Sequence, residues 1–167
     1  MLIRPATTAD FDALRAIELA AFETLRAAGA VGGVPSASSD QQLQRYLDDG
    51  FLEVACHHSG DPIGFCGGYI AGNCLHIAEM DVHPNSQRQG VGRALLTASL
   101  DKARAQKLDG ATLTTDRFAP FNAAFYAKFG FRALAGDELP ARLRGILAEE
   151  AEIGLDPDRR IAMMLRF

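Results

Sequence analysis

The chain has 167 residues, 48% of them hydrophobic and 23% charged, ordinary globular usage that suits one domain over residues 1–167 and leaves too little for two. No stretch reaches the ~18 consecutive apolar residues of a membrane helix, and Met1-Leu2-Ile3-Arg4-Pro5 lacks the apolar run and cleavage site of a secretory signal, so a cytoplasmic protein with no membrane partner is expected. The net charge is −4 and the only lysines are Lys102, Lys107 and Lys128, which provides no basic block for a phosphate backbone and argues against a nucleic-acid partner.

Ile3 to Pro5 reads as a first strand. Thr8 offers a hydroxyl N-cap, Asp10 and Asp12 suit a first helical turn, and Phe11, Leu14, Ile17, Ala21, Phe22 and Leu25 recur at helical spacing to about Ala28. Gly29 to Ser38 is a glycine-containing loop. Ser39 with Gln42 forms a capping box for a second, short helix that Gly50 ends. Phe51 to His57, Ile63 to Ala71 and Cys74 to Val82 are strand-like, with Gly72-Asn73 as a two-residue turn, so the sheet begins as an antiparallel meander. Cys56, Cys66 and Cys74 have no C-x-x-C spacing and read as reduced residues packed in these strands. His57-His58 reads as a solvated hairpin end, and no metal site is expected.

After His83-Pro84 the period changes, and Val91, Leu95, Leu96, Ser99, Leu100 and Ala103 share one helix face. Ala111 to Asp116 is a strand, Asn122 is placed to cap a short helix that Gly130 ends, and Phe131 to Ala135 is a strand again. A helix over Asp137 to Glu152 and a last strand, Arg160 to Phe167, complete the chain. This order gives a mixed α/β fold: a mostly antiparallel sheet flanked by helices, with a crossover making the fourth and fifth strands parallel.

The segment from Val82 to Leu96 carries the chemistry. A strand ends, a polar loop follows, and Gly90 and Gly92 let backbone N–H groups approach a ligand where a helix begins, which favours an anion such as phosphate. Arg88 and Arg93 add charge. A Walker loop would need Gly-Lys-Ser/Thr, and a dinucleotide fingerprint would need glycine where Leu95 stands; both are excluded. The spacing Gln87-x-x-Gly90-x-Gly92 after Val82-x-Pro84 resembles the acetyl-CoA motif of the GNAT superfamily of N-acetyltransferases. The entry Ile3-Arg4-Pro5-Ala6-Thr7-x-x-Asp10, the block Asn122-Ala123-Ala124-Phe125-Tyr126-Ala127-Lys128-Phe129-Gly130-Phe131 and the order of elements resemble the same family.

The resemblance implies a sheet splayed between its fourth and fifth strands, acetyl-CoA as cosubstrate, and acetyl transfer to a primary amine of a small substrate by direct attack. It places the CoA diphosphate on the backbone of Gln87, Arg88, Gln89, Gly90, Val91 and Gly92 beside Arg93, and the pantetheine arm against strand groups freed by a bulge near Met80 to Val82. It gives Tyr126 the thiolate sulfur and makes Asn122 a CoA contact, although an N-cap explains that asparagine equally well. Glu79 is the favoured general base, with His76 and Asp81 as rivals, because one residue of bulge reverses which side chains face the cleft. Asp116 and Arg117, at the end of the fifth strand, are expected to meet the ammonium and carboxylate of an amino-acid-like acceptor, and the acidic run Glu149-Glu150-x-Glu152 reads as a solvated helix face. A silent acyl-CoA-binding domain, or an enzyme acting on a protein amine, is the alternative. The apolar last strand and the habit of the family fit a homodimer.

Overall fold

In the computed structural model, which describes residues 1–167, the strands are β1 (Leu2–Pro5), β2 (Leu52–Cys56), β3 (Pro62–Ala71), β4 (Cys74–Val82), β5 (Gly110–Asp116), β6 (Arg132–Leu134) and β7 (Arg160–Arg166). The helices are α1 (Phe11–Ala27), α2 (Asp40–Asp48), α3 (Val91–Ala105), α4 (Ala123–Ala127) and α5 (Ala141–Glu152). Ser39 caps α2 as its spacing predicts: its N–H donates to Gln42 Oε1 at 2.8 Å, and Gln42 N–H donates to Ser39 Oγ at 3.3 Å. A 3-10 turn over Thr8–Asp10 precedes α1, whose own N-cap is Asp10, and the expected cap moves by one residue at the start of that turn. Thr7, not Thr8, leads the turn, because Asp10 accepts the Thr7 N–H at 2.8 Å while its carboxylate is held by both arms of Arg4 at 2.8 and 2.9 Å. The helix expected from Asp137 begins only at Ala141: Pro140 is its N-cap, and residues 136–138 form a separate 3-10 turn.

The sheet has seven strands in the order β1-β2-β3-β4-β5-β7-β6, antiparallel throughout except for the parallel pair β4–β5. α3 covers one face, where Leu95, Leu96, Leu100 and Ala103 meet Leu75, Ile77, Ala111, Leu113 and Met163. α1 and α2 cover the other face over β2 to β4, burying Leu14, Ile17, Leu43 and Tyr46 on Val54 and Phe65, and α5 covers it farther along with Leu143 on Leu134 and Ala162. The apolar β7 sits between β5 and β6, so its Ile161-to-Leu165 run is consumed inside the sheet and is no argument for a dimer.

Candidate active site

The site begins with an irregularity in one strand. β3 and β4 stay in register from Gly64↔Val82 to Gly67↔Glu79, and the next pair is Gly68↔Ile77, so Ala78 is an extra residue on β4. The expected bulge is therefore real but lies before Glu79 instead of at Met80 to Val82. Its position is set from the neighbouring strand: a Cβ on Gly68 would come within 2.5 Å of His76 O, and one on Gly67 within 2.6 Å of the Tyr46 ring. The bulge reverses the alternation. Ile77 packs toward α3, Met80 and Val82 do so after it, and Glu79 and Asp81 are left on the α1–α2 side.

β4 and β5 pair only from Cys74↔Gly110 to Ile77↔Leu113, and beyond that they diverge. The β5-facing edge of Ala78 to Val82 consequently has no strand partner and offers main-chain donors and acceptors to a ligand lying in the gap.

Past the end of β4, Arg88 (φ +60°) and Gly90 (φ +86°) adopt left-handed backbone, a conformation that turns successive N–H groups to one side. Gln87 N–H reaches Pro84 O at 3.3 Å, and the next amide to find a backbone acceptor is Ala94, on Gly90 O at 3.0 Å. The N–H groups of Arg88 through Arg93 are thus left for a ligand at the N-terminus of α3, where the helix dipole adds positive potential. Gln87 is a correction: its own amide is engaged, and its side chain ties the loop down by donating to Val82 O at 3.0 Å and Thr24 Oγ1 at 3.3 Å. Gln89 likewise turns its side chain back to Asn85 O at 2.9 Å. A Cβ on Gly92 would only touch Phe125 and Val82 at 3.8 Å each, so packing does not demand glycine there, and the bare backbone keeps the cradle open.

These parts line one cleft of about 650 Å³ that runs from the loop into the gap between β4 and β5. Glu79, Met80, Asp81, Val82, Gln87, Arg88, Gly90, Val91, Gly92, Arg93, Asn122 and Tyr126 all border it. Residues not anticipated from sequence border it too, chiefly Lys128, Phe125, Thr114 and Arg160. Lys128 and Phe125 lie inside the very block that flagged Tyr126, and helical spacing from Asn122 could have found them. Asn122 makes no side-chain cap on α4, so its amide is available to the cleft.

Burial raises the Tyr126 hydroxyl well beyond its ordinary value, with Cys66, Asp81 and Glu79 adding to the shift; the group stays an O–H donor at any physiological pH. Glu79 is also raised well above the usual carboxylate range, first by burial, then by the charges of Asp81 and Glu18, with Arg160 partly offsetting. Burial and Glu18 push Asp81 up to about 7. A carboxyl raised in this way binds a proton more readily than an exposed one.

The two expected substrate residues, and His76, expected as a rival base or substrate contact, lie outside the cleft lining. Asp116 is fully buried, and its carboxylate is filled by Arg159 Nε at 2.7 Å, Arg159 Nη2 at 3.1 Å and the N–H groups of Phe118 and Ala119 at 2.8 and 2.7 Å. Such a group has nothing left for a substrate ammonium. Arg117 is exposed, with its guanidinium 5.9 Å from the centre of the Phe118 ring, and does not border the cleft. His76 is buried against Tyr69, with Nδ1 3.0 Å from Thr112 Oγ1; burial and two nearby arginines lower its pKa to about 3, which removes it as a base. The acidic run is corrected at one position: Glu149 and Glu152 are exposed as expected, Glu150 is not. Glu150 grips Arg160 with two bonds of 2.9 Å.

Residues 12–131 match the family model described as Acetyltransferase (GNAT) family. The whole chain is similar in fold to the ribosomal-protein-alanine N-acetyltransferase of Brucella melitensis, at 21% identity, full coverage of both chains (100% and 100%) and a TM-score of 0.70. It is similar to N-acetylglutamate synthase from Neisseria gonorrhoeae, solved with coenzyme A and N-acetyl-glutamate, at 22% identity and a TM-score of 0.71, covering 99% of this chain and 34% of that one. A third likeness is to the PaiA N-acetyltransferase of Thermoplasma acidophilum in complex with coenzyme A, at 14% identity, coverage of 99% and 98%, and a TM-score of 0.69.

Proposed function

Since this chain belongs to the acetyltransferase (GNAT) family, we propose that the cleft between β4 and β5 takes acetyl-CoA and that the enzyme moves its acetyl group to the primary amine of a small molecule in a ternary complex. The observation that carries this reading is the continuity of the site: free N–H groups from Arg88 to Arg93, an unpaired strand edge over Ala78 to Val82, and Tyr126 with Glu79 border a single cleft. A diphosphate fits the N–H cradle, with Arg88, Arg93 and Lys128 around it to meet further phosphate charge. An amide-bearing arm fits the open edge of β4, where it can pair as an added strand would.

The thioester supplies an acetyl group activated toward attack; the remaining work falls on side chains. An ammonium must lose its proton before it can attack, and Glu79, with Asp81 beside it on the same face, is the acceptor for that proton, directly or through water. Tyr126, kept protonated by burial, is the donor for the departing sulfur. No cysteine borders the cleft, which favours direct attack by the amine over a covalent acetyl-enzyme.

Tyr126→Phe tests the reading. Turnover should fall by about 10²-fold or more, while affinity for acetyl-CoA stays within about twofold, because the hydroxyl serves the leaving sulfur and the phosphates bind elsewhere. Equal turnover in the two proteins would remove Tyr126 from the chemistry.

A further inference from the structure

On the α1–α2 face of the sheet, outside the lining of the cleft, two arginines from different helices lie near one buried histidine, His76. Arg142 of α5 donates from Nη2 to Thr112 Oγ1 at 2.9 Å, while its Nη1 is buried with no hydrogen-bond partner. Thr112 Oγ1 lies 3.0 Å from His76 Nδ1, the His76 ring packs 5.1 Å from that of Tyr69, and the Arg45 guanidinium of α2 sits 3.6 Å over Tyr69. Neither Arg45 nor Arg142 meets a carboxylate, in contrast to Arg159 on Asp116 and Arg160 on Glu150. A buried guanidinium N–H left unpaired is costly, so it needs a reason.

The proton count sharpens the chemistry. The Thr112 hydroxyl accepts from Arg142, and its oxygen lies 3.0 Å from His76 Nδ1, so the contact to the imidazole is satisfied in either tautomer and Thr112 has no capacity to take up the second Arg142 nitrogen as well. Arg142 Nη1 and the Arg45 guanidinium are donors without an acceptor, and both carry positive charge. The spot is made for an anion. Only part of the Arg142 fork is free, which suits the two oxygens of a carboxylate better than the three of a phosphate.

Its place relative to the reacting end is set by β4. The bulge at Ala78 puts His76 and Glu79 on the same face, three residues apart, roughly 10 Å along the strand. We propose that Arg142 and Arg45 bind a carboxylate carried by the acceptor, so that the substrate is an amine joined through several bonds to a carboxylate, with the amine at Glu79 and the carboxylate over His76. This rests on the acetyltransferase reading of the cleft. It also replaces Asp116 and Arg117 with residues from α2 and α5 as determinants of specificity.

The test compares 6-aminohexanoate with hexylamine, the same chain without the carboxylate, using acetyl-CoA and a free-thiol readout. The wild type should favour 6-aminohexanoate by about 10- to 100-fold in kcat/KM, a span set by hydrogen bonds to a charged group. Arg142→Gln should erase the preference through KM, leaving kcat and the hexylamine rate near wild type, and Arg142→Lys should keep part of it. A purely structural Arg142, pinning α5 to Thr112, would lower stability in both variants and slow both amines alike; that result overturns the proposal. Arg45→Gln, on the exposed side of α2 and away from the Thr112 bond, guards against misfolding of the Arg142 variants and should also weaken the preference. A wild type indifferent to the carboxylate, or inactive on 6-aminohexanoate, overturns the proposal too. Failure to bind acetyl-CoA, measured separately by calorimetry, would count against the acetyltransferase reading instead.

Discussion

The two strands that part to form the cleft end in opposite ways. β5 ends on Asp116, whose oxygens are filled by Arg159 and two backbone N–H groups, and Arg159 extends the tie to Ala28 O at 3.3 Å, at the close of α1. β4 ends on Glu79 and Asp81, which lie side by side on one face within reach of the charge of Glu18; Arg160 offsets Glu79 alone, and Arg160 is already held by Glu150. One carboxylate is fully satisfied and builds the scaffold; the other two are left short of partners and their pKa values rise toward the working pH. Identical chemistry thus serves stability on one side of the gap and reactivity on the other, and the number of donors around each group decides which.

Breaking that contrast gives the largest effects. Glu79→Gln should lower kcat by about 10²- to 10⁴-fold with little change in stability, since it removes a proton acceptor and relieves like-charge repulsion. The pH profile is the sharper readout. Because burial and the charges of Asp81 and Glu18 raise the Glu79 carboxyl, its proton-accepting form grows only as pH rises well above the usual carboxylate range, so kcat/KM should climb with pH there in the wild type and lose that limb in Glu79→Gln.

Asp116→Ala should do the reverse. It should destabilise by about 3–5 kcal/mol, the cost of leaving Arg159 without its buried partner, and be visible as a lowered Tm, while kcat per folded molecule changes little. Burial alone would raise the Asp116 carboxyl, but Arg159 and the two N–H groups outweigh it and hold the group below its ordinary value. Its stabilisation is therefore present above the unfolded carboxylate pKa and is lost as pH falls through the folded one. The Tm gap between wild type and Asp116→Ala should close in acid.

How legible each side was follows from how local its causes are. The turn from β4 into α3 could be read because its determinants sit within a dozen residues: the Val82-x-Pro84 end, Gly90 where φ is +86°, and the apolar face from Val91. The capping box of Ser39 and Gln42 was legible for the same reason. The bulge was foreseen but misplaced, because its position depends on Gly67 and Gly68 across the hairpin. Asp116 was read as a substrate contact because its partner, Arg159, lies 43 residues away with no spacing to announce it. The arginines over His76 come from α2 and α5 and meet only when the sheet brings those helices to one face.

The central claim is that the open amides between Arg88 and Arg93 and the unpaired edge of β4 hold acetyl-CoA. Calorimetric titration of the wild type and of Gly92→Val with acetyl-CoA and with CoA tests it most directly. A Cβ at this position meets nothing closer than 3.8 Å; with folding of the variant checked by its Tm, it should lose affinity for both ligands by tenfold or more, about 1.4 kcal/mol, against micromolar binding by the wild type. Wild-type protein that binds neither ligand, or a Gly92→Val variant that binds both unchanged, would contradict the account.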